Sequence, residues 1–189
     1  GILRDRMLVS MSEEDFDSVI NVHLKGTWLM MKHASAHWRE KAKAGEEVKA
    51  SIVNTSSTSG LHSNIGQGNY GPAKSAIATL SIIGARELGR YGVRVNAIAP
   101  SARTRMTMST PGLSERIAEP EDGSFDQWDP ANISPLIAWL CTENCPATAQ
   151  VYWVGGNEVA RYLEWSRADV AKTDGRWEID DLERVVGGW

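Results

Sequence analysis

The sequence holds two cysteines and two phenylalanines, gathers its Lys and Arg nowhere, and has no hydrophobic run near the ~18 residues that a spanning helix needs. Each shortage excludes something. Two thiols, Cys141 and Cys145, cannot staple a secreted scaffold; they fit a reducing compartment, with the cytoplasm as the default expectation. Without a long apolar segment, or a basic stretch leading into an apolar one at the start, neither a membrane span nor an export signal is expected. A formal net charge of −4, from 20 basic and 24 acidic residues scattered along the chain, leaves no footprint for nucleic acid. Metal ligands are sparse: His33 and His37 share a helix face but have no third ligand, and Cys141 and Cys145 read as one packed helix face.

What is present describes a folded domain. The 189 residues are 42% hydrophobic and 23% charged, enough for one core and too short for two comfortable ones. Ser12-Glu13-Glu14-Asp15 has the form of a capping box. Behind it Phe16, Val19, Ile20, Thr27, Met30, Met31 and Ala34 recur at helical spacing, over about six turns. A polar loop over Glu40–Lys49 leads into a buried strand at 50–55, and a Ser/Gly/Asn-rich loop at 56–68 into a helix at about 69–91, with Gly92 placed to end it. A second strand covers 93–99, with Pro100 as its stop. A long irregular stretch then runs from Thr104 to Gln127. Asp129-Pro130 or Ser134-Pro135 can start the next helix, and a third strand spans 150–154 before Gly155-Gly156. Helices alternating with strands predict an open parallel sheet covered on both faces, whose ligands sit beyond the carboxyl ends of the strands.

Chemistry is therefore expected just after residues 55, 99 and 154. Tyr70 and Lys74 lie one turn apart at a helix start, and Ser57 stands just past the first strand. A phenol with an ordinary pKa near 10 is a poor base unless a cation favours its phenolate, and Lys74 is such a cation. The Ser57 hydroxyl can hold a substrate oxygen while Tyr70 gives or takes the proton, which is the acid/base half of a carbonyl–alcohol redox reaction. Nothing in the sequence resembles a flavin, haem or metal site, so the hydride falls to a nicotinamide, NAD or NADP.

In this strand–loop–helix setting, Asn54-Thr55-Ser56-Ser57 with Gly66-Gln67-Gly68-Asn69-Tyr70 and Lys74 resembles the short-chain dehydrogenase/reductase family. The resemblance runs through Val93-Arg94-Val95-Asn96-Ala97-Ile98-Ala99-Pro100 to Gly155-Gly156, about residues 1–156. It implies a Rossmann-like doubly wound parallel sheet, of which this chain carries the C-terminal portion, strands five to seven with flanking helices. Gly1 resembles the last letter of the family's Asn-Asn-Ala-Gly motif. The glycine-rich phosphate turn and the residue separating NAD from NADP fall upstream of it, so the chain reads as a piece of a longer enzyme whose first strand here has an open edge. Expected cofactor contacts are Gly1, Tyr70, Lys74, Pro100, Ser101 (where the family usually has Gly), Ala102 and Thr104.

The family's fourth catalytic position falls on His23 within Val22-His23-Leu24-Lys25-Gly26. Helix geometry agrees that His23 faces inward, about 20° from Phe16, whereas Asn21 lies about 140° away. His23 is thus a proton relay or a hydrogen-bonded core histidine. The same segment, with Pro100–Thr107 and Trp139–Cys145, resembles the branch acting on (3R)-hydroxyacyl-CoA and 3-oxoacyl thioesters, and implies such a substrate with residues 106–129 as its lid. The charged tail, 157–189, reads as an extension wrapping the domain or a partner subunit, because Tyr162, Leu163, Trp165, Val185 and Val186 need burial, as do the late tryptophans. A homo-oligomer is expected by analogy with the family. The competing expectation is a non-catalytic, dehydrogenase-like binding subunit that holds no cofactor.

Overall fold

A computed structural model of the chain describes residues 1–108 and 114–189. Ser12 caps helix α1 (Glu13–Ile20), its hydroxyl accepting from the Asp15 N–H at 3.1 Å. The helix continues through a π-helical turn (Asn21–Lys25) into α2 (Gly26–Lys43), so it outlasts the sequence estimate, which places Glu40 in a loop. The expected stripe is buried only in part. Val19, His23 and Met31 are buried at intervals of four or eight, whereas Phe16 is 40% exposed and Met30 75%.

Strands β1 (Ala50–Thr55), β2 (Val93–Ser101) and β3 (Val151–Gly155) are parallel, and β4 (Glu158–Tyr162) returns antiparallel on β3, giving the order β1-β2-β3-β4. Among the described residues β1 has a strand neighbour on one side only. Between β1 and β2 lie α3 (Thr58–His62) and α4 (Tyr70–Leu88); between β2 and β3 lie α5 (Arg105–Met108) and α6 (Ser134–Cys141). The loop expected at 56–68 thus contains α3, five residues long and too short for a periodic pattern to reveal. Pro100 does not stop β2. It pairs with Val154 of β3 beyond the last β1 partner, Thr55 with Ile98, so its missing N–H leaves no β1 bond unmade.

Helices cover both faces of β2. Val93 and Val95 pack with Met31, Ala85 and Leu88, and Ala97 with Ala78, against α2 and α4; Ile98 packs with Leu136 and Leu140 of α6 on the other face. Two buried faces explain why this strand reads as a continuous run rather than an alternation. The polar interruptions are structural. Arg94 donates to the carbonyls of Leu140, Ala147 and Thr142 at the end of α6, and Asn96 donates to the Ala147 carbonyl while accepting from Gln150 N–H. Asp129 caps the 3-10 turn Pro130–Ile133 that leads into α6, so both Pro signals are used. Cys141 is the exposed last residue of α6 and Cys145 is buried beyond it, so the pair forms no helix face.

The tail begins in the sheet as β4, reached through the two-residue turn Gly156-Asn157, and Arg86 meets Glu164 in a two-pronged ion pair. Burial then falls short of expectation. Tyr162 and Val185 are half-buried, but Leu163 and Trp165 are 79% and 92% exposed, and Val186 in α7 (Ile179–Val186) is exposed as well. Among the described residues the tail does not wrap the domain. Among the described residues no helix is long and apolar enough to cross a membrane.

Gly92 ends the turn after α4 at φ +78°, and a Cβ there would stand 2.0 Å from the Val48 carbonyl oxygen. Gly92→Ala should therefore cost about 2 kcal/mol or more of stability, measured by urea unfolding; a variant as stable as the parent contradicts this packing.

Candidate active site

The site is built at the tip of β1. Just past the strand, Ser56 donates its N–H to the Ile98 carbonyl and its hydroxyl to the Lys74 carbonyl, both at 2.7 Å. In return the Lys74 Nζ donates to the Thr55 carbonyl at 2.8 Å. Lys74 is thus grasped at its backbone and at its ammonium by adjacent residues of one strand tip. Ser57, extended at φ −163°, caps α3, its Oγ accepting from the Ser59 N–H at 3.2 Å. Helix α3 lies so close to α4 that a Cβ on Gly60 would stand 2.5 Å from the Ser75 nitrogen and 2.8 Å from the Lys74 carbonyl carbon. Only glycine allows that approach, and the approach carries Ser57 to Tyr70.

Asn69, fully buried, fixes the start of α4. Its Nδ2 donates to the carbonyls of Arg4 and Asp15, and its Oδ1 accepts from the Tyr70 N–H at 2.7 Å. The first six residues are stitched alongside. His23 Nε2 lies 2.8 Å from the Ile2 carbonyl and 3.2 Å from its nitrogen, the Arg6 N–H reaches the Gly66 carbonyl, and Gln67 holds the Asp5 carboxylate. The His23 ring stands edge-on to Tyr70, with centres 5.0 Å apart and planes at 90°. The Lys74 Nζ lies 5.6 Å from the Tyr70 ring centre.

Three of the residues expected at the site, Ser57, Tyr70 and Lys74, therefore converge, with His23 against Tyr70. Gly1 abuts the His23 ring and the Met106 methyl. Pro100 and Ser101 continue β2 past the β1 tip, Ala102 is buried, and Thr104 shares hydrogen bonds with Thr107. Of the expected lid, residues 109–113 lie outside the described residues. Ser56, Gly60 and Asn69 are positioning residues that the sequence reading does not single out. Asn69 carries the one available signal, a capping residue type directly before Tyr70; Gly60 in a Ser/Gly-rich stretch looks like any loop glycine. His33 and His37 are exposed, and no group of three metal-binding side chains occurs among the described residues.

Burial governs the electrostatics. It pushes the Tyr70 phenol above its ordinary range; a hydrogen bond from Ser57 works the other way and the Asp5 carboxylate adds to the rise. Burial pulls the Lys74 ammonium down to about 8. For His23 burial also lowers the pKa, the Ile2 carbonyl opposes, and Lys74 adds to the fall, so the imidazole is neutral at pH 7. Sequence reasoning expects Lys74 to favour the Tyr70 phenolate; in this arrangement desolvation wins and the phenol keeps its proton. The donor set suits a ribose diol: a hydroxyl and an ammonium with two N–H groups beyond the one that Thr55 takes. The residues present thus fit the nicotinamide-ribose end of a dinucleotide.

Two substitutions test this geometry. Gly60→Ala should lower turnover at least about tenfold, because α3 must move off α4 and take Ser57 with it; unchanged turnover would sink the close-approach argument. Lys74 gives up its proton more easily folded than unfolded, so its charge opposes folding below about pH 8, and that cost fades between about 8 and 10.5. The melting temperature of Lys74→Met relative to the parent should then be highest at pH 7 and fall as pH rises from about 8 to 10.5. A difference that does not change between pH 8 and 10.5 contradicts the desolvation account.

The comparisons with known proteins bear on the family. The family model described as enoyl-(acyl carrier protein) reductase matches residues 1–156. A hydroxyacyl-CoA dehydrogenase of Mycobacterium tuberculosis is 45% identical over 153 residues, 80% of this chain and 46% of its own. The mouse (3R)-3-hydroxyacyl-CoA dehydrogenase is 37% identical over 148 residues, 76% of this chain and 54% of its own. The chain spans about half the length of these curated relatives. A crystal structure of a short-chain dehydrogenase from Mycobacterium avium superposes with a TM-score of 0.86 at 47% identity, covering 100% of this chain and 61% of that one. A family model matched over most of the sequence, and a like structure at that identity, leave one conclusion: the chain belongs to the short-chain dehydrogenase/reductase family.

Proposed function

We propose that this chain carries the acid–base machinery of a nicotinamide-dependent oxidoreductase that interconverts 3-hydroxy and 3-oxo acyl thioesters. The observation carrying the proposal is the meeting of the Ser57 hydroxyl, the Tyr70 phenol and the Lys74 ammonium at one strand tip. The substrate class follows the printed names of the relatives, which are hydroxyacyl-CoA dehydrogenases.

In the reductive direction Ser57 holds the 3-oxo oxygen by its O–H, and Tyr70, protonated at neutral pH, gives its proton to that oxygen. A bound NAD(P)H supplies the hydride to the carbon. Lys74, cationic below about pH 8, steadies the phenolate left behind and offers its remaining N–H groups to the nicotinamide ribose. His23 stays neutral and holds Gly1–Leu3 beside the phenol through the Ile2 backbone. Pro100 and Ser101 at the end of β2, with Ala102 and Thr104 just beyond it, run past the same tip and would border the nicotinamide. Gly1 lies on the far side of His23 from them only by sequence; through Met106 it meets the same segment.

Tyr70→Phe in the full-length protein should cut turnover at least about a hundredfold while leaving the melting temperature within a few degrees. Turnover of a 3-oxoacyl thioester at the parent rate would remove Tyr70 from the chemistry.

A further inference from the structure

The stretch between β2 and α6 leaves the sheet at Arg103 and returns at Asp126 to Trp128, and these two ends hold each other. The Arg103 N–H donates to the Trp128 carbonyl at 2.7 Å. Its guanidinium pairs with both oxygens of Asp126 and donates from Nη1 to the Ile117 carbonyl at 3.0 Å, with the Glu119 carboxylate 3.7 Å away. The Asp126 Oδ1 also accepts from the Trp128 N–H at 3.0 Å, and its carbonyl accepts from the Asn132 amide at 2.9 Å. The side chains are only 18% and 16% exposed, so this is a sheltered, two-pronged, charge-assisted pair rather than a loose surface contact. The guanidinium holds the Asp126 carboxyl below the usual carboxylate range.

The residues on either side of Arg103 matter for the site. The Ala102 carbonyl accepts from the Thr107 hydroxyl at 3.1 Å, and the Thr104 N–H donates to the same hydroxyl at 2.7 Å. Residues 102–104 therefore form a short platform just beyond the strand ends, braced on one side by Thr107 and on the other by Arg103. No contact in this set involves residues 109–113. An ion pair that closes both ends of a loop fixes the direction in which the chain leaves the strand, which is the direction a ligand at the sheet's carboxyl edge meets.

We propose that Arg103 and Asp126 are a positioning pair for dinucleotide binding: their clasp holds Ala102 and Thr104 where the nicotinamide end docks. The inference rests on the function proposed above, and it assigns to this pair a share of cofactor affinity, leaving the proton chemistry to Ser57, Tyr70 and Lys74.

The test uses the full-length protein with Arg103→Gln, Asp126→Asn and the exchanged double variant Arg103→Asp/Asp126→Arg. Binding of NADH and NADPH is measured by fluorescence titration, beside kcat, KM and the rate of amide hydrogen exchange over 102–107. Each single variant should weaken binding of the preferred dinucleotide at least about tenfold. The variants should keep kcat at saturating cofactor within about threefold, and exchange should quicken over 102–107 but not in β1 or α4. The exchanged pair should recover part of the affinity, the signature of a direct coupling. Dinucleotide affinity unchanged in both single variants overturns the positioning role and leaves the proposed function intact. Loss of affinity accompanied by a fall in melting temperature and faster exchange throughout the sheet also overturns it, as a purely structural effect. A parent protein that binds neither dinucleotide overturns the proposed function, and the clasp falls with it.

Discussion

The hold of the β1 tip on Lys74 sets the terms for everything around it. An ammonium taken out of water must find acceptors or lose its proton, and here the Thr55 carbonyl supplies one acceptor while burial brings the pKa down to about 8. The Ser56 hydroxyl fixes the backbone of the same residue through the Lys74 carbonyl. With both ends of Lys74 referred to one strand, α4 cannot rotate or slide without breaking a bond to β1, and Tyr70, one turn earlier, inherits that constraint. The proton donor proposed for this site must be placed to within about 0.5 Å, and this arrangement ties the placement of Tyr70 to the sheet rather than to a loop.

The sheet in turn is fixed by burial on two faces. Helices α2 and α4 cover one side of β2 and α6 the other, and Arg94 and Asn96 satisfy the carbonyls where α6 ends and β3 begins. Against that rigid base two close contacts bring in the parts that the sheet does not hold. Gly60 lets α3 press on α4, and Asn69 binds the segment around Arg4 and the Asp15 turn of α1 to the start of α4. The π turn that buries His23 belongs to the same design, since it sets the imidazole against Tyr70 and lets it hold the Ile2 backbone.

The order of elements and the Ser57, Tyr70 and Lys74 group were legible because they follow from local rules: a capping Ser12, β-branched strand centres, a glycine suited to the left-handed conformation at Gly92, and a phenol one turn from an amine. The rest depends on contacts between segments distant in sequence. The wheel that marks Val19, His23 and Met31 also marks Phe16 and Met30, which stay exposed, and the π turn at 21–25 follows from no periodic pattern. Pro100 reads as a stop unless one knows that β1 has already ended beside it. Gly60 and Ser56 act through their distance to Lys74, which no spacing rule encodes. The tail's apolar residues suggest burial against the domain or a partner subunit, and among the described residues the domain does not supply it.

The claim at the centre is that one carbonyl oxygen is served by Ser57 and Tyr70 together. A crystal structure of the full-length protein with a 3-oxoacyl thioester and oxidised cofactor measures this directly. The account predicts the 3-oxo oxygen within hydrogen-bonding distance, roughly 2.6–3.2 Å, of both the Ser57 Oγ and the Tyr70 Oη. A thioester whose 3-oxo group lies away from both hydroxyls would contradict it.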